Sequence, residues 1–309
     1  MGAAGFIGTN LACALVDSEK SNEFKELVLV DEEIDYFKFC PVRENKWIKI
    51  IEKKFDYSCD FGDVLDEGDL VFHLISTNNP YSSNKNISDE ITANISISIK
   101  LLEACVLKNI SKVVFISSGG TIYGDVCCPI PESAENNPIT TYGIQKLAIE
   151  KLLYLYNYMY GLDYRVARLS NPYGPYQRPN GRLGAVTTFT DRALHDKELI
   201  VYGDGGTIRD YIYIDDAINA ILNISFNECK YRIYNVGSGK GTDLNSVIKH
   251  IKSVANKELS IRFKKRRNVD LDKNFLDVSR YEEEFGKINR VDLEEGIRRT
   301  AEYLSAKYV

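Results

Sequence analysis

Histidine, methionine and tryptophan are scarce in this chain: three His, two Met and one Trp in 309 residues. His73, His195 and His250 lie far apart, so the sequence offers no histidine-rich metal site and none is expected. There is no apolar run of about 18 residues, which argues against a membrane span. The first residues lack the charged and apolar regions of a secretory signal, so a cytoplasmic protein is expected. A basic stripe is also absent. Net charge is -5 with both signs interspersed, which excludes the footprint that a nucleic-acid backbone requires. The seven cysteines are odd in number and show no C-x-x-C spacing; only Cys127 and Cys128 are neighbours. That usage suits buried thiols in a reduced compartment better than a disulfide framework. No internal repeat or low-complexity tract is found.

What is present is a large apolar complement, 44% of residues, enough for one large core or two adjoining ones. β-Branched runs at 26–31 (ELVLVD), 69–76 (DLVFHLIS), 111–118 (SKVVFISS) and 164–170 (YRVARLS) alternate with helical spacing at 89–108 and 142–160. This alternation predicts an α/β fold, a parallel sheet covered by helices on both faces. After Arg168 the texture turns Pro- and Gly-rich, as in NPYGPYQRPNGRLG. We therefore expect a first domain over 1–170 and a smaller substrate-covering lobe over 171–309, some of whose segments return to the first domain.

The opening GAAGFIG spaces Gly2, Gly5 and Gly8 three apart, directly before a helical pattern. Such glycines allow a tight turn and close approach to a pyrophosphate, and the helix N-terminus supplies free N–H groups. A purely structural turn is the other reading of so short a pattern. Asp31 ends the next strand, where a carboxylate binds the adenosine ribose and repels the extra phosphate of NADP; a turn cap is its alternative. A second acid near the adenine is placed at Asp56. Asp63 lies too close to the strand at Asp69 for a crossover helix to intervene.

Tyr142 and Lys146 in TYGIQKLAIEKLL are four residues apart, on one face of a helix and about 6 Å apart along its axis. A phenol is a poor base at neutral pH, and a nearby ammonium favours its phenolate. A surface tyrosine above a solvated lysine is the alternative.

With these motifs in order, followed by VFHLIST, FISSGGTIYG, RLSNPYGP, GDGGTIRDYIYIDD and YNVGSG, the chain resembles the extended short-chain dehydrogenases. The similarity is strongest to the UDP-glucose 4-epimerase branch and runs over essentially the whole length. It implies a Rossmann-like doubly wound sheet, an NAD cofactor, a nucleotide-diphosphate sugar substrate and a homodimer built on the helices near 89–108 and 142–160. By that likeness Gly2, Gly5, Phe6, Ile7, Gly8, Asp31, Leu74, Ser76, Asn94, Tyr142 and Lys146 meet the cofactor. Asn171, Arg209, Arg267 and Asp270 meet the substrate. The two arginines suit bidentate capture of a diphosphate, Lys264 to Arg266 read as a solvated face, and Asn171 alternatively caps its loop.

The chain also departs from the pattern. The family places a Ser or Thr hydroxyl four residues before Tyr123, and here that position is Gly119. Ser118, or else Thr121, is expected to supply the hydroxyl. The Asp-Glu pair of the dehydratase branch is absent, which disfavours dehydration. The expected reaction is C4 inversion of a UDP-hexose through a 4-keto sugar. The rivals are a 4-ketoreductase, a decarboxylase and a non-catalytic dinucleotide sensor. Met1 directly precedes the glycine turn where a first strand is usual, so we expect a reading frame starting upstream or a marginally stable chain.

Overall fold

The computed structural model describes all residues except 18–23, 40–41, 43–44, 57, 77–85, 180–183, 267–270, 289 and 308–309. The chain divides into two compact units, Met1–Ser117 with Thr140–Ala167 and Ser118–Ile139 with Arg168–Val309.

In the first unit, α1 (Phe6–Asp17) follows the glycine turn and β1 (Leu27–Asp31) pairs in parallel with β2 (Ile48–Glu52), Leu27 opposite Ile48 and Asp31 opposite Glu52. Next, β3 (Leu70–His73) pairs in parallel with β4 (Lys112–Ser118) across the crossover helix α2 (Ile87–Leu107). Helix α3 (Thr141–Tyr160) then leads to β5 (Tyr164–Leu169), which lies beside β4. The expected strands and helices are therefore found, with ends shifted by one to three residues, the largest shift being at β3, which ends at His73 rather than Ser76. The physical reason is visible in burial: Val113, Val114 and Phe115 of β4 are wholly inaccessible, as helix-covered parallel strands require. Leu101 and Leu102 of α2 are equally buried, and truncating such a leucine to alanine costs about 2 to 5 kcal/mol. Thr140 starts α3 by accepting a 3.1 Å hydrogen bond from Gly143 N, and Gly161 ends it in the left-handed region at φ 73°.

Between β1 and β3 the bridging hydrogen bonds come from the first three residues. The Met1 amino group donates to Phe72 O at 3.0 Å and Leu74 N to Met1 O at 3.0 Å. On the other side Gly2 N and Ala3 N both donate to Val30 O, at 2.9 and 3.2 Å.

In the second unit β6 (Asn171–Tyr173), α4 (Ala185–Leu194) and β7 (Leu199–Tyr202) precede β8 (Ile208–Tyr213) and α5 (Ile214–Phe226). Then come β9 (Ile233–Val236), β10 (Gly241–Asp243), α6 (Leu244–Ala255), β11 (Ile261–Lys264), β12 (Lys273–Asn274), α7 (Ser279–Phe285) and α8 (Leu293–Lys307). Strand β8 is central: β6 and β12 pair with it in parallel and β10 antiparallel, while β7 pairs with β11. Helices α4, α6 and α8 pack on one another through residues such as Val247, Ile251, Ile297 and Leu304. Asp243 caps α6 by accepting from Ser246 N at 2.9 Å.

Candidate active site

The first unit carries the dinucleotide-type features. Gly2 has φ +78°, and a Cβ there would stand 2.8 Å from Ile75 N, so only glycine fits. At Gly8 a Cβ would lie 2.5 Å from Ala3 O, which is how α1 packs tightly on the turn. Gly5 faces outward, and a Cβ there would have only Gly2 O nearby, at 3.7 Å, leaving the N-terminus of α1 open to an anion. Phe6 and Ile7 form the first turn of that helix. Asp31 Oδ2 accepts from Ala4 N at 2.8 Å and Oδ1 from Glu32 N at 2.8 Å, so the carboxylate sits against the glycine turn. Its turn-capping and ribose-binding readings thus share one position. Asp56, farther along after β2, is held by Ser58 N at 2.8 Å and by Ser58 Oγ at 2.5 Å, bonds that lower its pKa. Asp63 instead pairs with Lys53 at 2.7 Å.

A small cleft is lined by Ile75, Ser76, Asn94, Tyr142, Gln145, Lys146 and Ile149. Four of these, Ser76, Asn94, Tyr142 and Lys146, are expected from the sequence, and they are brought together from the end of β3, α2 and α3. Leu74 is tied just before the cleft, through its N–H to Met1 O. Ile75, Gln145 and Ile149 were missed, although the last two repeat the i, i+4 spacing of Tyr142 and Lys146 on the same helix. The Gln145 side chain is 2% exposed and its Nε2 has no hydrogen-bond partner among the described residues.

Lys146 Nζ donates to Ile116 O at 2.9 Å and stands 4.7 Å from the Phe115 ring centroid and 5.6 Å from that of Tyr142. Burial pulls its ammonium down to about 8, opposed by Glu150 one turn along α3. Burial pushes the Tyr142 phenol up to about 12. The expected lowering of the phenol by Lys146 is thus not expressed in this geometry, where desolvation dominates and the ammonium is aimed at a backbone carbonyl. His73, wholly buried, hydrogen-bonds Ser98 Oγ through Nε2 at 2.8 Å, and Ser98 donates to Asn94 O at 2.8 Å. Since the Ser98 proton is committed, His73 carries its own proton on Nε2. Burial and then the Lys146 charge hold the imidazole well below its ordinary pKa, so it stays neutral.

The second unit explains Gly119. A Cβ there would meet Leu276 Cδ1 at 2.6 Å and Arg168 O at 3.0 Å, so packing leaves no room for the hydroxyl-bearing side chain. Ser118 ends β4 half-buried and its carbonyl accepts from Thr121 N and Ile122 N; Thr121 Oγ1 is buried with no partner among the described residues. Asn171 pairs with Tyr211 across β6 and β8, and Arg209 lies two residues before Tyr211. Asn171 and Arg209 therefore share one face of this sheet. Arg209 Nη1 donates to Ile208 O and Leu271 O at 2.8 and 2.9 Å, and Asn171 Nδ2 to Asp210 O at 2.9 Å. Buried Asp210 accepts from Ser238 N, Ser238 Oγ, Gly239 N and Leu276 N, tying the YNVGSG turn to β8. Arg267 and Asp270 lie outside the described residues. Among the described residues no cluster of His, Cys, Asp and Glu could hold a metal, and no helix is long and apolar enough to cross a membrane.

A glycine turn opening a helix on parallel strands, followed by a helical Tyr-Lys pair, defines an NAD-dependent enzyme of the Rossmann type. The sequence model of the NAD dependent epimerase/dehydratase family matches residues 1–237, and the chain belongs to that family. Among solved structures, UDP-glucose 4-epimerase of Thermotoga maritima with UDP-glucose is 32% identical, with a TM-score of 0.88 over 100% of this chain and 98% of that one. UDP-glucuronic acid 4-epimerase of Bacillus cereus, in complex with UDP-glucuronic acid and NAD, is 26% identical, with a TM-score of 0.89 over 99% and 98%. Among curated proteins, UDP-glucose 4-epimerase of Mycolicibacterium smegmatis is 31% identical over 77% of each chain.

Proposed function

We propose that this enzyme inverts C4 of a UDP-hexose. The observation that carries the reading is the cleft that joins Tyr142 and Lys146 to Ser76 and Asn94. The residues present fit NAD: the glycine cradle rejects any Cβ at Gly2, α1 presents its N-terminus, and Asp31 stands beside the turn. Gly2, Gly5, Phe6, Ile7, Gly8, Asp31, Asp56, Leu74, Ser76 and Asn94 would hold it. When bound, NAD supplies a two-electron acceptor for C4 and then returns the same two electrons, so no outside reductant is consumed.

In this mechanism Tyr142 takes the proton of the 4-hydroxyl as C4 becomes a ketone and returns it after the ketosugar has turned over. Lys146, as an ammonium, opposes the desolvation that keeps the Tyr142 phenol protonated in the cofactor-free protein, a role that requires its charged form. Ser118 or Thr121 donates a hydroxyl to the reacting oxygen. Arg209 and Arg267 would anchor the diphosphate while the sugar rotates, and Asn171 and Asp270 would bind the same substrate. The reductase and decarboxylase readings use the same base and cofactor and differ in net reaction; a non-catalytic sensor has no use for a buried Tyr-Lys pair.

The protein acts in the cytoplasm in this reading, where Cys13, Cys59, Cys105, Cys127, Cys128 and Cys229 remain free thiols. It acts as a homodimer through α2 and α3, whose exposed apolar side chains include Leu107, Tyr154, Tyr158 and Met159.

The test incubates purified enzyme with UDP-, GDP- and dTDP-hexoses without added reductant and reads epimer and oxidised sugar by chromatography. Interconversion of the C4 epimers of a UDP-hexose, lowered about 10² to 10⁴-fold in Tyr142→Phe, is the expected outcome. Product formed only in step with consumed cofactor replaces the epimerase by a reductase.

A further inference from the structure

Glu150 lies one turn beyond Lys146 on α3, is 4% exposed, and accepts a 2.5 Å hydrogen bond from Ser117 Oγ, itself 3% exposed. The adjacent residue of β4, Ile116, receives the hydrogen bond from Lys146 Nζ. Consecutive residues of one strand thus hold two charged side chains spaced one turn apart on one helix. A buried carboxylate is costly to maintain and persists where it is bonded and matched by a charge.

We propose that Glu150 is a positioning residue for the catalytic pair: latched to β4 through Ser117, its carboxylate keeps Lys146 an ammonium and fixes the register of α3. The inference rests on Tyr142 and Lys146 being that pair. A neutral amine at Lys146 would give the phenol no electrostatic help, and burial alone drives the lysine toward neutrality. The other groups facing Lys146 do not counter this. On α3 Tyr142 is an uncharged phenol, and on β3 His73 is a neutral imidazole. β4 presents the Phe115 ring and the Ile116 carbonyl, neither of them charged, and α2 brings Asn94, an amide, to the cleft. Glu150 is the charged group that acts on Lys146 against desolvation.

The experiment follows the Lys146 side chain by NMR of ¹³Cε-lysine in the full-length protein, the resonance being assigned with Lys146→Met. It is paired with the pH profile of kcat. Glu150→Gln is expected to lower the Lys146 midpoint by at least about one pH unit, the size of a nearby opposite charge. The alkaline limb of kcat should move with it, giving about a fivefold loss or more at pH 8 and little loss near pH 6. Ser117→Ala removes the latch but keeps the charge, so its midpoint should stay above that of Glu150→Gln. An unmoved midpoint in folded Glu150→Gln, or an equal fall in Ser117→Ala, overturns the proposal. Should Glu150→Gln not fold, Glu150→Asp takes its place: a midpoint lowered by a smaller amount supports the proposal and an unchanged one overturns it. Tyr142→Phe is measured alongside; full activity there sinks the catalytic reading, independently of how Lys146 titrates.

Discussion

Lys146 reaches across from α3 to donate a 2.9 Å hydrogen bond to the carbonyl of Ile116 on β4, so its ammonium is anchored by sheet backbone. Holding it there, 5% exposed, has a thermodynamic consequence. Its pKa is about 8 folded against an ordinary 10.5, so the unfolded chain binds more protons between these values. Stability must therefore rise with pH from about 8 to 10.5, the buried charge costing most below that window. Lys146→Met should remove this slope and stabilise the cofactor-free protein at pH 7 by up to about 3 kcal/mol, while abolishing turnover. Urea unfolding at pH 7 and pH 10 measures it; a Met variant less stable at both contradicts the assignment.

Asp31 should set cofactor choice. Its Oδ2 is bonded to Ala4 N beside the pyrophosphate turn, where a 2′-phosphate would be repelled. Fluorescence titration should show wild type preferring NAD strongly over NADP, and Asp31→Ser losing most of that preference. Equal affinities in wild type remove Asp31 from the adenosine site.

Gly119 is a steric necessity. Gly119→Ser should cost about 1 to 3 kcal/mol through overpacking against Leu276, and Leu276→Ala should be less harmful when combined with Gly119→Ser than in wild type. A double-mutant cycle of thermal midpoints with no coupling would refute the clash.

With no hydroxyl at position 119, Ser118 or Thr121 should furnish it. One of Ser118→Ala and Thr121→Ala should lower kcat by about tenfold or more, the worth of a lost transition-state hydrogen bond. If both retain full turnover, Tyr142 alone binds the reacting oxygen.

The outer faces of α2 and α3 should be covered by a second copy. Tyr158 is 80% and Leu107 82% exposed in the single chain. Light scattering at micromolar concentration should give a dimer that Tyr158→Glu with Met159→Glu converts to monomer. A monomeric wild type would remove the interface.

Local order was legible in the sequence because it has a period. The i, i+4 spacing of Tyr142 and Lys146, the three glycines before α1 and the β-branched runs each carry their geometry in consecutive residues. Asn94 and Ser76 were legible only by resemblance, since nothing in their own neighbourhoods marks a cleft. Tertiary structure alone decided the rest. Glu150 finds Ser117 and Lys146 finds Ile116 across about thirty residues, and Gly119 meets Leu276 from a far more distant part of the chain. Such meetings depend on how strands order and helices dock. The same packing sets the electrostatics: spacing suggested a lysine that would acidify a tyrosine, but desolvation, which no spacing reports, moved both groups toward neutrality.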